Sequence, residues 1–282
     1  MKVDLGGSLR ELARYRELLL NLVSKEIKVK YKNSFLGFMW SLVNPLMMLV
    51  VFYVAFGIIF KLRSAGINYY PFFLMTGILA WNFFSNSLGQ AVGSVVTNGV
   101  LVKKIYFPRE VLPLSYVGSA GFHFLLQEMV LLLFLLGFRV PLTPWLAAFP
   151  LVVGLEALFI VGMVLWLSSL NVFFRDVQHF TEILLMAWFW MTPVIYPISY
   201  MLDALPRWAE RIYLLNPMAH IILLYQHIVY NSAHNAPGGG GSPGAAYISP
   251  LGILGTALLS LALTALGYLY FKSREGKFAE FI

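Results

Sequence analysis

The stretch that decides the fold is LRELARYRELLLNLVSKEIKVKYKNSFLGFMWSLVNPLMMLVVFYVAFGIIF, residues 9–60. Its first half, residues 9–32, reads as a basic amphipathic helix. Its second half, residues 39–60, is a mostly apolar run without a charge until its end. A bilayer crossing takes about 20 such residues. At 100° per residue, Leu9, Leu12, Ala13, Leu19, Leu20, Val23 and Ile27 share one face of the first helix. Arg10, Arg14, Glu17, Lys25, Lys28 and Lys32 lie on the other. A helix of that kind lies in the membrane interface. Asn33 and Gly37 then permit a turn into the apolar run.

Five further apolar stretches follow, at 70–92, 111–137, 145–170, 181–199 and 250–271. The division is therefore residues 1–38, a cytoplasmic interface helix, and 39–282, a six-span transmembrane domain. Lys and Arg fix the orientation. Of the 20 in the chain, 15 fall on the side that carries both termini and five on the other. The positive-inside rule makes the richer side cytoplasmic, so the expected location is the cytoplasmic (inner) membrane, with a multi-pass topology and both ends inside. The first span would itself act as the targeting signal, since no cleavable signal peptide is evident.

Composition agrees. The chain is 59% hydrophobic and only 12% charged, about half the charge of a soluble domain. The net charge of +7 follows from the positive-inside bias and gives no reason to expect nucleic acid. The absence of cysteine excludes disulfides, thiolate metal sites and cysteine nucleophiles.

Between the fifth and sixth spans the pattern changes. Leu205, Trp208, Ile212, Tyr213 and Leu215 form a short amphipathic pattern, and residues 217–230 are apolar but too short to cross. The pair reads as re-entrant or interfacial outer helices. Pro193 and Pro197 break the fifth span before it leaves the membrane. Residues 236–246 are rich in Gly and Pro and read as a flexible loop. The fold class is thus all-α and integral to the membrane.

The chain has no G-x-x-x-x-G-K-[ST] phosphate loop; its sole Gly-Lys pair is Gly276-Lys277. A pump built on this chain needs a second chain to handle ATP. Residues 97–113, TNGVLVKKIYFPREVLP, join the second and third spans on the basic side. They read either as a short surface helix docking into a partner's cleft or as a plain positive-inside loop. Residues 171–177, NVFFRDV, place Arg175 and Asp176 at the inner end of the fourth span, where the pair can cap a helix, form a structural ion pair or meet a partner.

Further polar residues carry two readings each. Glu128 and Glu156 lie deepest in the spans, with His123 and Gln127 near the first; they read as a functional polar wall or dimer contact, or as interhelix hydrogen bonding. His220, His227 and His234 recur at intervals too wide for a metal helix face, so no metal is expected. No nucleophile–base pattern and no paired carboxylates for glycosyl transfer stand out.

Six stretches, taken in order, carry a resemblance: YKNSFLGFMWSLVNPL (31–46), WNFFSNSL (81–88), VKKIYFPREVL (102–112), LNVFFRDV (170–177), FWMTPVIY (189–196) and Asn216-Pro217. The chain resembles the transmembrane subunits of type-2 ABC exporters that move cell-surface polysaccharides, the O-antigen and teichoic-acid export permeases. The long Gly-rich outer loop departs from that pattern and leaves the polymer open.

The resemblance implies a homodimer of this chain with two ABC ATPase subunits, which bind the ATP and Mg; the chain itself holds no cofactor. It implies a glycopolymer linked to undecaprenyl diphosphate as cargo. It also implies ATPase contact through the interface helix and the loop carrying Val102, Lys103, Lys104, Ile105, Tyr106, Phe107, Pro108 and Arg109, to which Arg175 and Asp176 are added.

For the substrate path, sugar rings stack on aromatic faces. Trp40, Phe52, Tyr53, Phe56, Trp188, Trp190, Tyr196 and Tyr200 on the first and fifth spans are candidates, with ordinary packing as the other reading. Arg10, Lys28, Lys30 and Lys32 are candidates for the carrier diphosphate. Other functions remain open at this stage. They are a type-2 ABC permease for a drug or simple lipid, a membrane-bound glycan polymerase or transferase using Glu128 or Glu156, and a passive channel.

Overall fold

The computed structural model describes residues 14–32, 34, 37–59, 70–139, 144–230 and 247–282. Arg10, Asn33, His234, the start of the interface helix and the Gly-rich stretch 236–246 lie outside the described residues. Every regular element among the described residues is helical.

Helix α1 spans Arg16–Lys30. A left-handed Gly37 (φ +50°), a conformation that favours glycine, and a short turn Gly37–Met39 lead into α2, Trp40–Phe52, which continues as a π-helical segment Tyr53–Ile59. Helix α3 (Tyr70–Ala91) is followed by two short helices, α4 (Ser94–Thr97) and α5 (Gly99–Lys104). Two long helices follow, α6 (Val111–Gly137) and α7 (Phe149–Phe173). Next come α8 (Asp176–Trp190), α9 (Ile198–Ala204), α10 (Arg207–Tyr213) and α11 (Pro217–Tyr225), the last extended by Gln226–Tyr230. Helix α12 (Pro250–Arg274) leads through Glu275–Lys277 to α13 (Phe278–Phe281).

Among the described residues three helices are long and apolar enough to cross a membrane: Val111–Gly137, Pro144–Phe173 and Pro250–Phe281. They include the expected third, fourth and sixth spans. The expected first span is the shorter apolar helix Trp40–Phe56. The expected second is α3, diluted by polar residues such as Asn82, Asn86 and Gln90. The expected fifth is the 15-residue α8, which ends at Trp190 because the chain turns through Pro193 and Pro197.

The main core lies where α3, α6, α7 and α11 meet, around Phe73, Phe84, Phe124, Phe159 and Tyr225. A second cluster fills the basic end: Val102, Phe107, Val111, Val172, Phe271 and Phe278. A third, of Ile198, Leu202, Tyr213 and Leu223, ties the short helices α9, α10 and α11 together. Helices α7 and α12 approach closely at Gly162 and Gly267. A Cβ on Gly162 would fall 2.7 Å from the backbone of Leu263 and Thr264, and one on Gly267 would strike the Gly162 carbonyl. Thr264 Oγ1 donates across this crossing to the Leu158 carbonyl at 2.7 Å.

Helix α1 packs along α6, with Val23 against Gly118. Its packed face keeps Leu19 and Val23 of the expected stripe and departs from it at Leu20. Tyr15, Leu18, Leu19 and Leu22 touch the second cluster, whereas Leu20 is 65% exposed. The helix docks on α6 and its neighbours, and that docking turns the packed stripe toward Tyr15, Leu18 and Leu22 and away from Leu20.

Candidate functional site

The basic end presents a protruding tip on buried anchors. Val102, Phe107 and Pro108 are buried, while Lys103, Lys104, Ile105 and Tyr106 are exposed, Tyr106 at 86%. The anchoring is both apolar and ionic. The Arg109 guanidinium donates to the Glu275 carbonyl oxygen. Glu110 is fully buried and pairs with Lys272 at 2.9 Å, and Lys272 also meets Glu275 at 3.1 Å. The segment after α5 is thereby fastened to the C-terminal end of α12. Helix α13 adds a second clasp, with Ile282 against Gly99 and Phe281 against Phe173 at 4.9 Å. Sequence reading identified Arg109 but missed Glu110, Lys272 and Glu275; the i,i+3 spacing of the last two was the available signal.

Arg175 and Asp176 are exposed at the start of α8. The acidic residue suits the positive end of the helix dipole. The elbow itself is held by Asn171, whose Oδ1 accepts the Gln178 backbone N–H at 3.1 Å. Gln178 in turn packs on Gly93, at the end of α3.

The candidate aromatic residues separate into groups. Phe52 stacks on Phe189 at 6.1 Å and lies 6.2 Å from Phe56; Tyr53 is half-buried beside them. Trp188 sits edge-on to Phe84 at 5.2 Å and donates its indole N–H to Asn216 at 2.9 Å. Tyr196 donates to the Trp190 carbonyl at 2.6 Å. Trp40, Trp190 and Tyr200 keep exposed rings.

Lys28, Lys30 and Lys32 are exposed around the end of α1. Lys30 lies 5.9 Å from the Tyr31 ring centroid and lines a cavity of about 580 Å³ between α1, α2, α3 and α6. Trp40, Asn44, Phe52, Asn82 and Gln127 share that lining. Gln127 donates to the Ser41 carbonyl at 2.6 Å, fixing α6 to the start of α2.

Tyr225 donates to Glu156 at 2.8 Å. Glu128 faces a separate, apolar cavity of about 360 Å³ with Leu125, Met129 and Phe149. His220 meets the Leu214 carbonyl at 2.7 Å and His227 packs on Trp145. Among the described residues no group of three side chains is placed to hold a metal ion.

Comparison with known proteins gives a consistent result. Residues 17–230 match the ABC-2 type transporter family model. The O-antigen export system permease protein RfbA of Myxococcus xanthus is 34% identical over 273 residues, 97% of this chain and 98% of that protein. A protein of the same name from Klebsiella pneumoniae is 32% identical, covering 94% and 95%. The polysialic acid transport protein KpsM of Escherichia coli is 24% identical over 216 residues, 74% of this chain and 79% of that one.

Proposed function

Because this chain belongs to the ABC-2 type transporter family, we propose that it is the membrane subunit of an ATP-driven exporter of a cell-surface polysaccharide. One observation carries the reading: the near end-to-end similarity to O-antigen export permeases. The chain is the transport component, and hydrolysis of ATP with Mg belongs to a separate ATPase. The working complex is two copies of this chain with two ATPases, in the cytoplasmic membrane. Each copy crosses six times, with both ends inside and α9–α11 forming an outer cap. The cargo is a glycopolymer, O-antigen or wall teichoic acid, on undecaprenyl diphosphate.

The structure supports this with two features. The exposed Lys103, Lys104, Ile105 and Tyr106 stand on buried anchors, a shape suited to pressing into an ATPase cleft, with Arg175 and Asp176 alongside. Helix α8 buries only Thr181 and Leu185, and α2 likewise leaves Met47, Val50 and Val51 exposed. Those apolar faces suit a seam with a second copy. Closure of the ATPase pair would push the tip, and the Glu110–Lys272 tie would pass the motion to α12, opening a path at the α2–α8 seam. Lys28, Lys30 and Lys32 would meet the carrier diphosphate there, with Arg10 as a further candidate. Trp40, Trp190 and Tyr200 would offer rings to the sliding sugars.

Native mass spectrometry of the complex, gently extracted from its own membrane, tests the reading. The expected assembly is two plus two with a polyprenyl diphosphate glycan bound. A homodimer without any ATPase, reproduced under mild extraction, would overturn it.

A further inference from the structure

Asn82, Asn86 and Gln90 occupy i, i+4 and i+8 of α3, one stripe of the helix. All three line the 580 Å³ cavity, with Asn44 facing them from α2 and Lys30 and Trp40 also in the wall. Neighbouring α3 residues Trp81, Phe84 and Leu88 turn the other way into the core. Amides within a spanning helix cost free energy unless their hydrogen bonds are met. Asn82 reaches only the Met48 sulfur, at 3.9 Å. The side chains of Asn44, Asn86 and Gln90, all exposed in the single chain, hydrogen-bond no other described residue. Interhelix glue therefore does not account for the stripe.

The chemistry of the wall selects its ligand. Among the described residues no acidic side chain lines the cavity and Lys30 is its sole cation, so a free cation gains nothing there. A hydrocarbon chain would leave the amides unmet. A carbohydrate offers many hydroxyls, each donor and acceptor, and a primary amide answers both. The exposed Trp40 ring adds a face for sugar C–H groups. The volume falls within the ~300–1,000 Å³ range of small-molecule sites. We infer that this cavity binds the carbohydrate part of the lipid-linked cargo, with the amides on sugar hydroxyls and Lys30 on the adjoining phosphate. The inference rests on the exporter reading and adds a sugar-reading station on α3 to the path proposed along α2, whose Met47 and Val51 share the cavity wall.

The test uses the complete complex with its ATPase in lipid nanodiscs and two probes. One is bare polyprenyl diphosphate; the other is the same lipid carrying a neutral oligosaccharide. The wild type should prefer the glycosylated probe by about tenfold, the scale of two or so net hydrogen bonds. Asn86→Leu with Gln90→Leu should reduce that preference to within about twofold on the same scale. The exchanged pair Asn86→Gln with Gln90→Asn, which keeps both amides, should retain most of it. A preference that survives in the leucine pair, or a wild type indifferent to the sugar, overturns the inference and leaves the exporter intact. Failure to bind either probe removes the exporter reading and this one together. The chain has no cysteine, so Asn86→Cys supplies a single thiol. Its protection from a water-soluble maleimide by the glycosylated probe alone supports the site. A thiol labelled equally with and without that probe would overturn it.

Discussion

The Trp188 indole donates to Asn216 Oδ1 at 2.9 Å, and the same oxygen accepts the Met218 backbone N–H at 3.1 Å. Asn216 Nδ2 donates to the Met191 carbonyl and to Thr192 Oγ1. One side chain thus caps α11 and closes the turn at the end of α8. Asn216→Ala strips the cap and leaves the half-buried Trp188 donor unmet. A loss of about 2–3 kcal/mol is expected. It is read as a lower melting temperature of the purified complex with a change in tryptophan emission. An unchanged melting temperature would show that the turn is held by its prolines alone.

Much of the fold was legible because its signals are local. Apolar runs delimit α6, α7 and α12, and the turn expected at Gly37 before α2 is present, with a left-handed φ at that glycine. Pro193 and Pro197 mark where α8 stops. The unread parts are pairings across long separations. Glu110 and Lys272 stand 162 residues apart, and nothing in either neighbourhood names the other. The packed face of α1 was misassigned at Leu20 for a related reason: tertiary docking, not amphipathicity, chooses the stripe. The amide stripe of α3 was local and readable at its four-residue spacing, but it is embedded in a helix whose other residues are mostly apolar.

The Glu110–Lys272 pair is almost wholly withdrawn from solvent, at 0% and 5% side-chain exposure. Removing one partner of such a pair costs about 3–5 kcal/mol, because the other charge is stranded. Lys272→Met should therefore lower stability strongly, while Lys272→Met combined with Glu110→Leu should recover most of it. Thermal melts of the four-member cycle give the coupling directly. Additive effects would mean that Glu275 alone neutralises Lys272.

The α7–α12 crossing depends on backbones meeting without side chains between them. Gly267→Val places carbons on the Gly162 carbonyl and must push the helices apart, at a cost of about 1–3 kcal/mol or more. Gly255, on the same helix, has open space at its Cβ position, so Gly255→Ala should be neutral or slightly stabilising. Comparing the two by melting temperature and yield separates the crossing from helix propensity.

The exposed tip gives the prediction closest to function. Lys103 and Lys104 project from the end of α5, whereas Phe107 and Val102 hold it from beneath. Lys103→Glu with Lys104→Glu reverses two surface charges without touching the anchors, so stability should change by no more than about 0.5 kcal/mol. Docking of the ATPase should nevertheless weaken, by about tenfold or more if each charge faces an acidic surface. High salt should weaken the wild-type contact in the same direction, since exposed charges are screened beyond about 10 Å at 0.1 M. Tyr106→Ala isolates the apolar share. It removes the most exposed ring of the tip and should weaken docking without a salt dependence. Co-purification at graded ionic strength reads both variants. An ATPase that stays bound to the charge-reversed chain at all salt concentrations would detach Lys103 and Lys104 from the coupling role and leave them as topology determinants.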